Sequence, residues 1–175
     1  MSGSSSLVSG IPSAELLSMR LDGEVFPLGA GWFPVDLPDS PGLRISAVMA
    51  GRSSRLIAGG TTAAWVWGAA SVLPTPLTLL SDVRARARLR PGSPAVVREV
   101  TLAEGEIAEL GDGRVTTPLR TLLDLACEGA PADVLRRLAS VADLDRDEVL
   151  SAARRERRPG VQAARRAISA ALSRC

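Results

Sequence analysis

A chain of 175 residues with 46% hydrophobic residues is long enough for one domain with a full core, or for a domain with a small appendage. All 21 basic residues are arginine, set against 19 acidic ones for a net charge of +2, and Lys, His, Tyr and Asn are absent. These absences exclude Ser-His-Asp and Cys-His nucleophiles, Schiff-base chemistry and a phosphate-loop lysine. Two cysteines without histidine cannot fill a structural zinc site, and a nuclease centre built on an acidic-x-Lys motif is excluded as well. The expectation is a protein that is not an enzyme and that carries no cofactor and no metal.

Met1 to Gly10 has neither a basic segment nor a long apolar run, so no secretory signal is expected. Ser13 is placed to cap a short helix through Leu21, which Asp22-Gly23 ends. Glu24–Leu28 and Trp32–Val35 read as two strands of a hairpin around Gly29-Ala-Gly31. A helix followed by a hairpin is the back half of a winged helix, and the residues before it are too few for a complete front half. Pro38 to Gly42 is turn-rich and reads as a linker, dividing the chain into a module at 1–37 and a domain at 43–175.

Beyond it, Leu43–Ala50 suggests a helix, Leu56–Ala58 a buried strand and Thr61–Ala69 a helix with two tryptophans. Trp65 and Trp67 cannot share a face, so one is expected in the core and the other at a groove or interface. Leu77–Leu80, Ala95–Leu102 and Arg114–Thr116 read as strands. No charge occurs between Leu56 and Ser81, a bilayer-spanning length. Gly59-Gly60, Pro74 and Pro76 interrupt that run, so a buried strand-helix-strand passage is expected and no membrane contact.

Val115-Thr-Thr-Pro-Leu-Arg-Thr-Leu-Leu-Asp-Leu-Ala-Cys127 reads as a strand end entering a well-made helix. Thr116 or Thr117 serves as N-cap and Pro118 has its φ already set. Leu119, Leu122, Leu123 and Ala126 share one face, Arg120 and Asp124 are spaced for an ion pair, and Gly129 ends the helix. Cys127 is expected on the buried face and Cys175 in an open tail, a usage that fits a reducing compartment and a cytoplasmic protein. The rest reads as helical: Ala132–Leu144 with Val134, Leu135, Leu138, Val141 and Ala142 inward; a helix capped by Asp145 with Glu148 in capping-box spacing; and Val161–Ser173. Strands first and helices last give an α+β class: a partial winged-helix hairpin, a small mixed sheet packed with helices, and an all-helical C-terminal part.

Thr116-Thr-Pro-Leu-Arg-Thr-Leu-Leu-Asp-Leu-Ala126 resembles a signature of actinobacterial AbiEi-type proteins, the antitoxin halves of type IV toxin–antitoxin pairs. Gly60-Thr-Thr-Ala-Ala-Trp-Val-Trp-Gly68, the basic segment Arg84–Arg98 and Gly29-Ala-Gly-Trp-Phe-Pro-Val35 are similar to further family segments and come in the family's order. The resemblance covers roughly Glu24 to Ala171. It implies a transcriptional autoregulator that binds operator DNA through a winged helix and counters a nucleotidyltransferase-like toxin. Some longer relatives carry a nuclease-like C-terminal domain, and this chain is expected to stop short of it. The alternative is a protein-interaction or structural domain that has lost DNA binding.

The candidate nucleic-acid contacts are arginines. Arg84, Arg86, Arg88 and Arg90 alternate with small apolar residues, so an extended segment would align four guanidinium groups on one face. Such a row suits a phosphate backbone, since Arg meets phosphate in bidentate fashion, and it equally suits a charge-guarded edge strand. Arg154, Arg155, Arg157 and Arg158 form a second cluster, suited to nucleic acid, to an acidic partner or to a solvated helix face. The hairpin offers no basic side chain at Pro27-Leu-Gly-Ala30, and Arg20 on the preceding helix is its nearest cation.

Overall fold

The computed structural model describes residues 8, 10–89, 92–157 and 160–173. The fold is α+β, and its first elements are helix α1 (Ser13–Leu21) and the antiparallel hairpin β1 (Val25–Leu28) and β2 (Gly31–Pro34). Ser13 is the first helical residue and not the cap. Pro12 holds that position, and its carbonyl takes the amides of Glu15 and Leu16. Helix α2 (Pro41–Met49) starts within the expected linker, with the Ser40 hydroxyl accepting the Leu43 amide at 3.2 Å and proline at the first position.

Strands β3 (Leu56–Ala58), β4 (Leu77–Asp82), β5 (Ala95–Val100), β6 (Ile107–Leu110) and β7 (Gly113–Thr116) make one mixed sheet of order β5-β4-β3-β7-β6. β3 pairs antiparallel with β4 and parallel with β7, and β4 pairs parallel with β5. The period-two alternation sorts the side chains. Leu56, Ala58, Leu77, Leu79 and Val115 face α2 and helix α3 (Gly60–Val66), while Ile57 and Leu80 meet Leu102 in a smaller cluster. β6 escapes the sequence reading because its acidic surroundings, from Glu104 to Asp112, look like a solvated loop. It is an edge strand that pairs with β7 alone, with Ala108 against Val115.

Four helices follow: α4 (Pro118–Cys127), α5 (Ala132–Val141), α6 (Arg146–Arg155) and α7 (Val161–Leu172). They close a second core around Leu122, Leu125, Leu135, Leu138, Val149 and Ile168, into which α3 reaches with Ala64. α4 is buried from Arg120 to Ala126, nearly all round, because α3, α5 and α7 all pack on it. Gly129, at φ +77°, closes α4 in a Schellman turn, its amide on Ala126 and that of Ala130 on Leu125. Val141, expected inward, is exposed because α5 ends there and Leu144 packs against the core from the next turn. Among the described residues no helix is long and apolar enough to cross a membrane.

The hairpin is seated, not free. Phe33 is fully buried in the cluster that α2 supplies, and Trp32 beside it is half-buried. At the hairpin tip the Ala30 amide donates to the carbonyl of Ala47 on α2. Gly29, at φ +58°, lies so close that a Cβ there would sit 2.8 Å from the same oxygen. Gly111, at φ +56°, has open space around it. Left-handed backbone costs a residue with a Cβ roughly 1–2 kcal/mol. Gly111→Ala is therefore expected to lose that amount in a denaturant titration, and Gly29→Ala to lose clearly more. Equal losses would mean the tip does not rest on α2.

Candidate functional site

The signature segment forms a hub where the sheet meets both cores. The Thr117 hydroxyl caps α4 by accepting the Arg120 amide, and its own amide donates to Glu106 at 3.0 Å. The buried hydroxyls of Thr116 and Thr121 lie 2.7 Å apart, and Trp67 donates its indole N–H to the Thr116 carbonyl at 2.9 Å. Trp65 is the core tryptophan, and Trp67 packs against both large clusters. Arg120 is 8% exposed and bridges two carboxylates, Asp124 at 2.9 Å and Glu106 at 2.6 Å. The Asp124 partner follows from i,i+4 spacing, whereas nothing local in the sequence announces Glu106. Cys127, expected to be buried, is only partly so, since it ends the helix.

The alternating arginines do not form a row. β4 ends at Asp82 and residues 83–85 turn, because the Asp82 carboxylate captures the Arg84 amide at 2.8 Å and its guanidinium at 3.0 and 2.7 Å. Arg84 also donates to the Leu102 carbonyl, and the Ser81 hydroxyl accepts the Ala87 amide. These side-chain-to-backbone bonds replace the ladder that an extended strand would need. The Arg84 side chain, followed by its backbone amide, holds the Asp82 carboxyl well below the usual carboxylate range. Arg86 meets Glu99 at 3.4 Å. Arg88 is exposed and makes no ion pair among the described residues, and Arg90 lies outside them.

Elsewhere arginine caps helix ends. The last carbonyls of a helix lack intrahelical donors and carry partial negative charge. Arg44 donates to Trp65 at the end of α3, at 2.6 Å, while stacking over the Trp65 ring and gripping Asp39 with two bonds. That grip lowers the Asp39 pKa. Arg52 donates to Val48 and Ala50 at the end of α2, Arg136 to Ala171 in α7, and Arg165 to Ala153, Arg154 and Glu156 at the end of α6. The sequence marks these arginines only as charge.

Other arginines stay exposed without an ion pair among the described residues. Arg20 lies on the last turn of α1, Arg55, Arg137, Arg146 and Arg166 are spread over the surface, and Arg154, Arg155 and Arg157 stand together at the α6–α7 corner. Of these, Arg155 has one partner, the Ser151 hydroxyl at 2.9 Å. Arg158 and Cys175 lie outside the described residues. Among the described residues no three His, Cys, Asp or Glu are grouped to hold a metal ion.

No protein-family model matches the chain, and no curated protein does. Among solved structures, the crystal structure of the RV2827C protein from Mycobacterium tuberculosis is similar, with a TM-score of 0.50 and 16% identity over 94% of this chain and 66% of that one. The chain thus spans about two thirds of that neighbour's length, and the likeness concerns the α+β fold alone.

Two outcomes test these electrostatics. Arg120→Ala leaves Asp124 and Glu106 without their shared cation and is expected to cost about 3 kcal/mol in a denaturant titration. Glu106→Gln, at the wetter end, should cost less than about 1 kcal/mol. A neutral Arg120→Ala would place the pair outside the stability of the fold. The depressed Asp82 pKa makes a linkage prediction. Its stabilisation is complete above the unfolded carboxylate pKa of about 4 and is lost as pH falls through the folded value. The stability gap between wild type and Asp82→Asn should therefore be flat above about pH 5 and shrink in stronger acid. A gap that widens in acid would contradict the clamp.

Proposed function

We propose that this chain is a non-enzymatic, cytoplasmic transcriptional regulator of the AbiEi antitoxin type, working in a pathway with a nucleotidyltransferase-like toxin. DNA contact in this reading falls to the corner between α6 and α7 and not to the hairpin. The observation that carries it is the partition of the arginines. Arg44, Arg84, Arg86, Arg98 and Arg120 are held by carboxylates and Arg52, Arg136 and Arg165 by backbone carbonyls. Among the exposed arginines left over, Arg154, Arg155 and Arg157 are the ones that stand close together in sequence, without a carboxylate partner among the described residues. A corner with three guanidinium groups around the single carboxylate of Glu156 attracts phosphate and releases condensed counterions on contact. The resemblance of the Thr116–Ala126 segment supports the antitoxin assignment.

A second reading, an interaction domain without DNA binding, is favoured by the hairpin. Its tip is uncharged and rests on α2, whereas a wing that grips a phosphate backbone needs a free, basic tip.

A mobility-shift titration of the full chain on its own promoter and on random duplex, at two salt concentrations, separates the readings. The expected result is salt-dependent binding whose slope falls by roughly one unit per lost contact when Arg154, Arg155 and Arg157 are changed together to Ser. These side chains make none of the helix-end caps, so the variant's melting curve should match the wild type. Absence of binding at low salt would leave the interaction domain. Sequence-selective binding that survives the Ser variant and disappears with Arg20→Ser, the exposed cation on the helix before the hairpin, would restore the helix–hairpin module as the DNA reader.

A further inference from the structure

A cleft of about 520 Å³ opens between two loops, residues 50–53 after α2 and the connection from β4 to β5. Its walls carry Arg52, Ser53, Arg88 and Ser93, with Leu56 and Leu89 as the apolar floor, and among the described residues no carboxylate lines it. The volume lies within the range of small-molecule sites.

Arg52 is the unusual member. Its guanidinium is held in place by the Val48 and Ala50 carbonyls, yet its Nε is buried without a hydrogen-bond partner. Burial lowers its pKa, and no described carboxylate forms an ion pair with it to offset that penalty. Asp112 lines a smaller adjoining cavity that Arg52 also borders, and no ion pair joins the two. A partly buried cation with no carboxylate partner among the described residues is stabilised by an anion placed beside its accessible nitrogens. Across the cleft, Arg88 is unpaired among the described residues, although its neighbours Arg84 and Arg86 each hold a carboxylate. Gly51 and Gly92, at φ +66° and +78°, have nothing within 4 Å of where a Cβ would stand, so bare backbone borders open space on both sides.

We infer that this cleft binds the phosphate group of a small phosphate monoester, with Arg52 and Arg88 meeting the phosphate oxygens and the hydroxyls of Ser53 and Ser93 donating to them. Two guanidinium groups, two hydroxyls and no competing acid match a phosphate and repel no part of it. The apolar floor gives the organic part of the ester a surface to lie on.

The test is calorimetric titration of the full chain with inorganic phosphate, pyrophosphate and AMP in a low-salt buffer free of other oxyanions. Saturable single-site binding of AMP or pyrophosphate is expected. Arg88→Ser should weaken it about tenfold, and Ser93→Ala a few-fold, with melting curves unchanged, because neither side chain makes a hydrogen bond or ion pair among the described residues. Arg52→Ser also removes the cap of α2, so Arg52→Lys is the variant to use: it keeps the charge but loses the fork, and should weaken binding while the helix end persists. A duplex DNA arm identifies the source of the phosphate. If duplex binds in an Arg88-dependent manner while AMP and pyrophosphate do not, the small-molecule assignment is overturned. Binding of none of the probes, or binding indifferent to Arg88→Ser, overturns the site. Because Arg154, Arg155 and Arg157 take no part, either result is independent of the DNA contact proposed for the α6–α7 corner.

Discussion

The structure depends on one junction, the passage from β7 into α4 at Thr116–Thr121. A parallel pairing of β3 with β7 brings the Ala58 carbonyl beside the Thr116 hydroxyl, and the next residue must cap a helix. The three threonines here satisfy polar groups where three layers meet and water is excluded. Thr117 supplies the cap, Thr121 turns its hydroxyl back to the Thr116 and Thr117 carbonyls, and Trp67 fills the second lone pair of Thr116 from another helix. A buried polar network is stabilising only when every member is satisfied. With each group paired, the sheet core and the helical core are locked into one register, and α4 can be buried on almost every side.

Arg120 extends that constraint to the sheet edge. Its long side chain crosses from α4 to Glu106, which in turn holds the Ala103 amide and sets the short helical turn leading into β6. β6 has little apolar surface of its own, so its position rests on pairing with β7 and on this ion pair. A chain with no lysine is well supplied for such work. The guanidinium is planar, presents several donors and is less strongly hydrated than an ammonium group, so it can be partly buried while satisfying carbonyls. The caps on α2, α3, α6 and α7 are the same chemistry repeated. An overall charge near neutrality with a pI near 9 therefore says little about nucleic acid until the arginines are sorted by what they touch.

How far the sequence reaches can be judged from particular elements. β3, α4 and the Asp145 cap of α6 are legible because their signals are local: a short apolar run, a Thr-Pro start with an apolar face, and an acid one residue before a helix. The alternating arginines mislead because period two is necessary for a strand and insufficient for one. The decision belonged to Asp82, whose carboxylate offers the next residues a better set of partners than a neighbouring strand does. β6 was hidden because edge strands need not alternate strongly, and Glu106 because its partner lies fourteen positions away in an unrelated element. At the candidate DNA surface, residue type was readable but availability was not. Arg154 and Arg84 look alike in sequence and differ only in whether the fold brings a carboxylate to them.

The hairpin shows the same logic at the scale of a module. A wing is defined by what its tip is free to do, and the helix–hairpin order alone does not establish that freedom. Here the tip is built from glycine and alanine, the smallest residues available, and that choice fits close approach to another backbone at least as well as a tight turn. Once the Gly29–Ala30 peptide sits on the Ala47 carbonyl and Phe33 is buried beside Leu43 and Ile45, the hairpin becomes a cover for α2. The burial of one aromatic side chain stabilises that arrangement by roughly 2 kcal/mol, and detaching it would expose the face of α2 it protects. A protein of this design leaves its open surface elsewhere, on loops and helices that the core positions without covering, and it is there that the unpaired arginines stand.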